Sequence, residues 1–378
     1  MLAAHTDWLG GGETSTKAGR ITYPGAVNAR FRPDRRHLIL TSLAAGAAAT
    51  LAACDRARSD RITAAKATRF NLGRLDEGFA IIDRRAQPAM LGVGVASLDS
   101  PDMWISDPKA RFPMQSVFKA PLAATALAQV DAGRWRLNDI VRLTPEDLSV
   151  GRSLINPAFR PPYLDLPIAD LVALAVQQSD NTAADTLVRR LGGPAAVSNW
   201  LAANGVADMR VDRYERDLQP EMIGLGAFRP EWVDPARLAA ATNALAPMDK
   251  EAAVAAYLDD PRDTTTVAAA MAFLRRLAGG KLLSPSSTAL LLRLMTDTNT
   301  GPQRLLAGLP PGAALAHKTG TSVTAVGLTA AVNDIGIVTL DDGRRFAIAS
   351  FLARSTASEA ERDRLLADTA RLAVSSLI

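Results

Sequence analysis

Strand-forming runs lie at the two ends of the apolar body of this chain and are scarce between them. Any sheet must therefore join segments more than two hundred residues apart. Met90–Leu98 and Met103–Ser106 read as strands joined by the turn cluster Asp99-Ser100-Pro101-Asp102. Ala325–Val332, Ile335–Leu340 and Arg345–Leu352 read as three more, with Asp342-Gly343 as the hairpin turn between the last two. Residues 70–85 predict an amphipathic helix, and Ser358-Glu359-Ala360-Glu361 predicts a capping box that opens a terminal helix to about Ser376. From Ser116 to about Gly308 the pattern is helical, broken by Gly and Pro. The order helix, strands, many helices, strands, helix predicts the α/β (α+β) class, with a helical lobe inserted into an antiparallel sheet. The 378 residues, 48% of them apolar, suffice for one large domain with a real core.

The basic balance of the chain, a formal net charge of +4, belongs mostly to its first 53 residues. Beyond them, thirty-seven positive side chains face thirty-six negative ones, so nothing points to a nucleic-acid partner. Arg35-Arg36-His37-Leu38-Ile39 precedes an uncharged run, Leu38 to Ala53, too short for a membrane span and shaped like a signal-peptide core. The paired arginines suggest the twin-arginine export route. Leu51-Ala52-Ala53-Cys54 resembles a bacterial lipobox, which predicts cleavage before Cys54 and a lipid on its thiol. Asp55 then points to retention at the inner membrane, on its periplasmic side. Residues 1–53 are thus read as an export signal, 54–66 as a tether and 67–378 as the catalytic domain. Cys54 is the only cysteine, so no disulfide forms within the domain. Of three histidines, only His317 lies beyond the export signal, which argues against a histidine-based metal site or a Ser-His-Asp triad. No metal or organic cofactor is expected.

Three short motifs carry the chemistry. In Ser116-Val117-Phe118-Lys119 a weak nucleophile has an amine three residues on, on the same face of a helix that is apolar nearly all round to Gly133. Burial disfavours the charged form of a lysine and lets it act as a base. The helix N-terminus adds positive potential where an oxyanion would form. A second copy, Ser106-Asp107-Pro108-Lys109, is denied such a helix by its proline. Ser179-Asp180-Asn181 sits between two helical runs, where it reads equally as a helix N-cap or as a second hydroxyl and an amide beside Ser116. Lys318-Thr319-Gly320, followed by Thr321, is placed at the start of a strand, where glycine lets a ligand approach the backbone.

The set S-x-x-K, S-D-N and K-T-G, in this order and at separations of 63 and 139 residues, resembles the class A β-lactamases and penicillin-binding proteins. The resemblance runs from about Leu91 to the C-terminus and takes in Gly301-Pro302-Gln303-Arg304-Leu305 and the run Ala330–Gly336. Asp212-Arg213-Tyr214-Glu215-Arg216-Asp217-Leu218-Gln219 resembles the start of the family's omega loop, with Glu215 at the family's spacing from Ser179. The resemblance implies a five-stranded antiparallel sheet flanked by helices, an α/β lobe of residues 67–115 and 312–378, and an all-α lobe of residues 116–311. It implies Ser116 as nucleophile, and Lys119, or Glu215 through water, as base. Backbone N–H groups of Ser116 and Thr321 would form the oxyanion hole, and Ser179 would pass a proton to the leaving nitrogen. Asn181 would contact the acyl side chain. Lys318, Thr319 and, with Gly320 beside them, Arg304 would read the substrate carboxylate, while Glu215 and Gln219 would hold the deacylating water. A β-lactam is the expected small-molecule substrate and a monomer the expected state.

The pattern breaks in three places. Gln219 stands where the family usually has Asn, one methylene longer. Arg262-Asp263, which closes the loop in the family about a dozen residues after the glutamate, comes here 47 residues after Glu215. About 35 residues are thus inserted, at roughly 220–261, as a helical hairpin opened at Asp234-Pro235 and near Asp249, either a surface decoration or a lid. Arg213 and Asp263 remain able to pair at the neck. Gln115 and Ser322 occupy the positions of a disulfide found in some carbapenem-hydrolysing members. A D-alanyl-D-alanine peptidase or esterase, and a penicillin sensor that stays acylated, are the alternative readings.

Overall fold

The structure, a computed structural model, describes residues 67–378; the export signal, Cys54 and the tether lie outside the described residues. Among the described residues, no helix is long and apolar enough to cross a membrane.

The sheet runs in the order β2 (Met103–Ile105), β1 (Met90–Ser97), β5 (Arg345–Ser355), β4 (Leu328–Thr339) and β3 (Ala314–Thr321), antiparallel throughout, with the short strand Thr324–Ala325 paired onto β4. Register joins the two ends of the domain directly, Val93 opposite Ser350 and Val95 opposite Ile348. The alternation along β1 separates its two faces. Leu91, Val93 and Val95 enter a core with Phe346, Ile348, Leu352 and the helices α1 (Leu72–Ala86) and α11 (Glu359–Ser375). Gly92 and Gly94 face the other way. A Cβ on Gly92 would come within 2.5 Å of Phe112, and one on Gly94 within 2.7 Å of Val267, so the glycines let that layer sit against the strand. Asn71 caps α1 by accepting from Arg74 N, and Ser358 caps α11 by accepting from Glu361 N.

The helical lobe contains α2 (Lys119–Asp131), α3 (Ile168–Gln177), α4 (Asn181–Leu191), α5 (Pro194–Ala203), α6 (Glu215–Met222), α7 (Pro235–Ala244), α8 (Pro247–Asp259), α9 (Val267–Ala278) and α10 (Pro285–Thr296). Two small sheets interrupt it, Arg111–Pro113 with Thr264–Thr266 and Ile140–Leu143 with Leu164–Pro167.

Three sequence expectations need correction. The break expected near Asn333 is absent: residues 328–339 form one strand, β4, because Asn333 and Asp334, polar as they are, are buried and hydrogen-bonded. Lys318-Thr319-Gly320 ends its strand rather than starting it, since Ala314–His317 is already extended. Ser116 precedes α2 in a 3-10 turn, Gln115–Phe118. Three residues per turn still bring Ser116 and Lys119 onto one face.

The insertion forms two helices, α7 opened by Asp234 and α8 beginning at Pro247. They differ in packing. None of the residues of α7 is buried, whereas α8 sends Val254 and Tyr257 into a second hydrophobic cluster with Leu218, Met222, Ile223 and Ala330. That cluster ties the insertion to α6 and to the first residues of β4.

Candidate active site

The site forms where β3, the edge strand of the sheet, meets the turn carrying Ser116. Their approach depends on Gly320: a Cβ there would lie 2.4 Å from Met114 O and 3.1 Å from Val117 N. Asn333 secures the same junction from β4, donating through Nδ2 to Pro113 O at 2.8 Å and Met114 O at 3.0 Å. The turn around Ser116 is buried on all sides, and Ser116 itself is half-buried.

Lys119 Nζ, fully buried at the start of α2, has four oxygens around it. It donates to Ser116 Oγ at 2.9 Å, Ser179 O at 2.8 Å and Asn181 Oδ1 at 2.5 Å, and lies 2.9 Å from Glu215 Oε1. Lys119 Nζ thus stands between the Ser116 hydroxyl and the Glu215 carboxylate.

Ser179 takes a left-handed backbone, φ 58°, which turns its hydroxyl toward Lys318 Nζ at 3.1 Å while its carbonyl faces Lys119. Asp180 serves the helix. It accepts from Ala183 N at the N-terminus of α4 and from Leu154 N and Ile155 N of the neighbouring loop. The helix N-cap of this segment is thus Asp180, while Lys119 Nζ reaches Ser116 Oγ, Ser179 O and Asn181 Oδ1 together. Asn181 also donates to Val150 O, which fixes its amide with Oδ1 toward Lys119. Lys318 is fully buried. Desolvation, with the Lys119 charge beside it, holds its amine well below the ordinary lysine range.

Arg304 stands behind Thr321. Its Nη2 donates to Thr321 Oγ1 at 2.8 Å, its Nη1 to Gly320 O and Asn333 O, and its Nε pairs with Asp363 at 2.9 Å. Thr321 is exposed, so its hydroxyl proton is left to point outward. Thr319 Oγ1 bonds Thr300 Oγ1 at 2.6 Å.

Glu215 is the first residue of α6. It is placed by a residue that sequence reading missed, the buried Asp185 of α4. Asp185 accepts from Glu215 N at 2.7 Å, Arg216 N at 3.0 Å and Ser149 Oγ at 2.8 Å. Burial, with the Glu215 charge adding to it, pushes Asp185 up to about 6. The only sequence signal for it was an acid on the inward face of an amphipathic helix. One turn on from Glu215, Gln219 Nε2 donates to Glu215 Oε2 at 2.7 Å. At the neck of the loop Arg213 Nε pairs with Asp263 Oδ2 at 2.6 Å, and Asp263 Oδ1 accepts from the backbone of Asp212 and Arg213. Of the positions considered for a disulfide, Gln115 hydrogen-bonds within the insertion and Ser322 accepts from Ala331 N. Among the described residues, no cluster of His, Cys, Asp and Glu is arranged to hold a metal ion.

The chain matches known proteins over the same span. A family model described as the β-lactamase enzyme family matches residues 77–377. The extended-spectrum β-lactamase PER-1 of Pseudomonas aeruginosa is 32% identical over 289 residues, 75% of this chain and 82% of that protein. The β-lactamase VEB-1 of the same organism is 28% identical over 76% of this chain and 85% of its own length. Among solved structures, a β-lactamase from Chitinophaga pinensis superimposes with a TM-score of 0.65 at 33% identity, covering 79% of this chain and 97% of that one. An ancestral class A β-lactamase gives a TM-score of 0.63 at 33% identity, covering 80% of this chain and 99% of its own.

Proposed function

The chain belongs to the β-lactamase enzyme family, as a class A member, and we propose that it hydrolyses a β-lactam amide through an acyl-enzyme on Ser116. The observation that carries this is the cluster Ser116–Lys119–Glu215, in which the amine lies 2.9 Å from the hydroxyl oxygen and 2.9 Å from a carboxylate oxygen. Ser116 Oγ attacks the lactam carbonyl, and its proton leaves to Lys119, which touches it directly, or to Glu215 through water. The Ser116 and Thr321 N–H groups stabilise the oxyanion. The C–N bond then breaks, and Ser179 delivers a proton to the nitrogen, resupplied from Lys318. The substrate carboxylate binds at Lys318, Thr319 and the outward hydroxyl of Thr321, which Arg304 orients from behind. Asn181 faces the acyl side chain. Glu215 takes a proton from water, the water oxygen bonds to the acyl carbon, the bond from that carbon to Ser116 Oγ breaks, and Ser116 Oγ takes back a proton from Lys119 or Glu215. Gln219 helps to hold that water.

A time course with a chromogenic cephalosporin tests this reading. Steady turnover that disappears in Ser116→Ala supports it; no turnover, or turnover that survives the substitution, removes it.

The export run and the Leu-Ala-Ala-Cys segment support a further part of the proposal, that the mature protein is periplasmic and held at the inner membrane by a lipid on Cys54. Cys54→Ser should then move it from the membrane fraction to the soluble one, and unchanged partition would contradict the anchor.

A further inference from the structure

The inserted helix α8 touches the hydrolytic end of the site through one side chain. Tyr257, in its last turn, is 4% exposed, and its Oη accepts from Gln115 Nε2 at 2.6 Å. Gln115 immediately precedes the nucleophile. Its Oε1 accepts from Gln219 Nε2 at 3.3 Å, and the same Gln219 nitrogen donates to Glu215 Oε2 at 2.7 Å. Phenol, amide, amide and carboxylate thus form one series of fixed polarity: Gln219 donates both to Glu215 and to Gln115, and Gln115 donates on to Tyr257.

That polarity fixes both amides. The Glu215 carboxylate can only accept, so it draws the nitrogen of Gln219 toward itself. The second N–H of Gln219 then needs an acceptor, which Gln115 Oε1 provides. Gln115 must in turn place its own NH2 group deep in the protein, where its remaining contact besides Tyr257 is Met222 Sδ at 3.3 Å, a weak acceptor. With both N–H groups of Gln219 engaged, its Oε1 is the group left beside Glu215 to accept from water. A glutamine has one more rotatable bond than the asparagine that the family pattern leads one to expect here, and this brace removes that freedom.

We propose that Tyr257 is a positioning residue for deacylation, which makes the insertion part of the hydrolytic machinery rather than an ornament or a lid. Tyr257 holds the amide of Gln115, Gln115 holds that of Gln219, and Gln219 holds the water-binding geometry at Glu215. Ser116 Oγ, Lys119, Ser179 and Lys318 have no hydrogen bond to Tyr257, so acylation is left intact.

The test is Tyr257→Phe, which keeps the ring in its cluster and removes only the oxygen. The inference rests on the acyl-enzyme reading. In a two-step acyl scheme, slower deacylation lowers kcat and KM together and leaves kcat/KM unchanged. The expected fall in both is roughly ten- to a hundred-fold, from a buried N–H left without its acceptor and a displaced amide, with an acyl adduct accumulating during turnover. The same substitution should add nothing further in a Gln115→Met background. Val254→Ala, which loosens the same cluster without touching the hydrogen bonds, should lower the thermal midpoint while leaving kcat and KM each as in wild type. Unchanged kcat and KM in Tyr257→Phe, or a fall in kcat/KM without adduct, would overturn the inference alone. The acyl-enzyme reading fails separately, if Glu215→Gln gathers no adduct, and takes this inference with it.

Discussion

Asp185 illustrates how a single side chain outside every motif can control the chemistry. Its carboxylate accepts the backbone N–H groups of Glu215 and Arg216, so it sets where α6 begins and therefore where the Glu215 side chain starts. Burial and the nearby Glu215 charge push it up to about 6. Below that pH it gains a proton, and one of its oxygens then presents O–H to backbone donors, which weakens the hold on Glu215. Turnover should fall on the acid side of about pH 6 through slower deacylation, with acyl-enzyme building up. Asp185→Asn imitates the protonated acid at every pH. It should lower kcat about ten- to a hundred-fold at pH 7, the scale of a lost charged hydrogen bond, and remove this part of the acid limb. A variant with wild-type kcat and the same acid limb would show that Asp185 merely fills space. Ser116, Lys119, Ser179 and Lys318 stand out in the sequence by their motifs, and Glu215 by the resemblance of its segment to the family's omega loop. Asp185 does not, because a hydrogen bond to backbone N–H leaves no mark on the sequence of its partner.

At the scale of elements, the decisive contact is edge strand β3 against the turn of Ser116. Gly320→Ala would place a methyl 2.4 Å from Met114 O, where backbone on both sides resists movement. The strand must shift outward by several tenths of an ångström, carrying Thr321 away from Ser116. Acylation should drop by about a hundred-fold, a scale set by ångström displacements in active sites. Rates within threefold of wild type would mean that the junction is softer than its packing implies. The sequence foretold the catalytic end of β3 but misplaced the strand around it, since Ala314-Leu315-Ala316 lacks the β-branched residues that mark strands. It split β4 at Asn333-Asp334 for a related reason. Polar residues in mid-strand read as a turn, yet here they are the bolts that fasten β4 to Pro113, Met114 and His317. The insertion was legible as two helices from Asp234-Pro235 and its helical composition. That α8 alone would be packed, through Val254 and Tyr257, depends on tertiary contacts that its weak amphipathic pattern does not announce.

The two ends of the described domain lock together beside the sheet. Asn71 N donates to Ser376 O at 2.8 Å, Ile378 N donates to Arg69 O at 3.1 Å, and Phe70 meets the Phe346 ring edge-on at 5.7 Å. The order of strands and helices along the sequence already required this closure, which is why the architecture could be read so far ahead of the contacts. The helical lobe, inserted between the two halves of the sheet, brings α2, α4 and α6 to the open edge of β3, so nucleophile, amine and carboxylate converge from segments about a hundred residues apart in sequence. The account stands on the claim that this convergence makes Ser116 an acylated intermediate that Glu215 clears. Intact-protein mass after mixing Glu215→Gln with benzylpenicillin tests it most directly. The predicted result is a mass increase of one substrate molecule that persists after wild type has cleared its own, and that is absent when Ser116→Ala is added. No increase in Glu215→Gln, or an increase that survives loss of the Ser116 hydroxyl, would contradict the account.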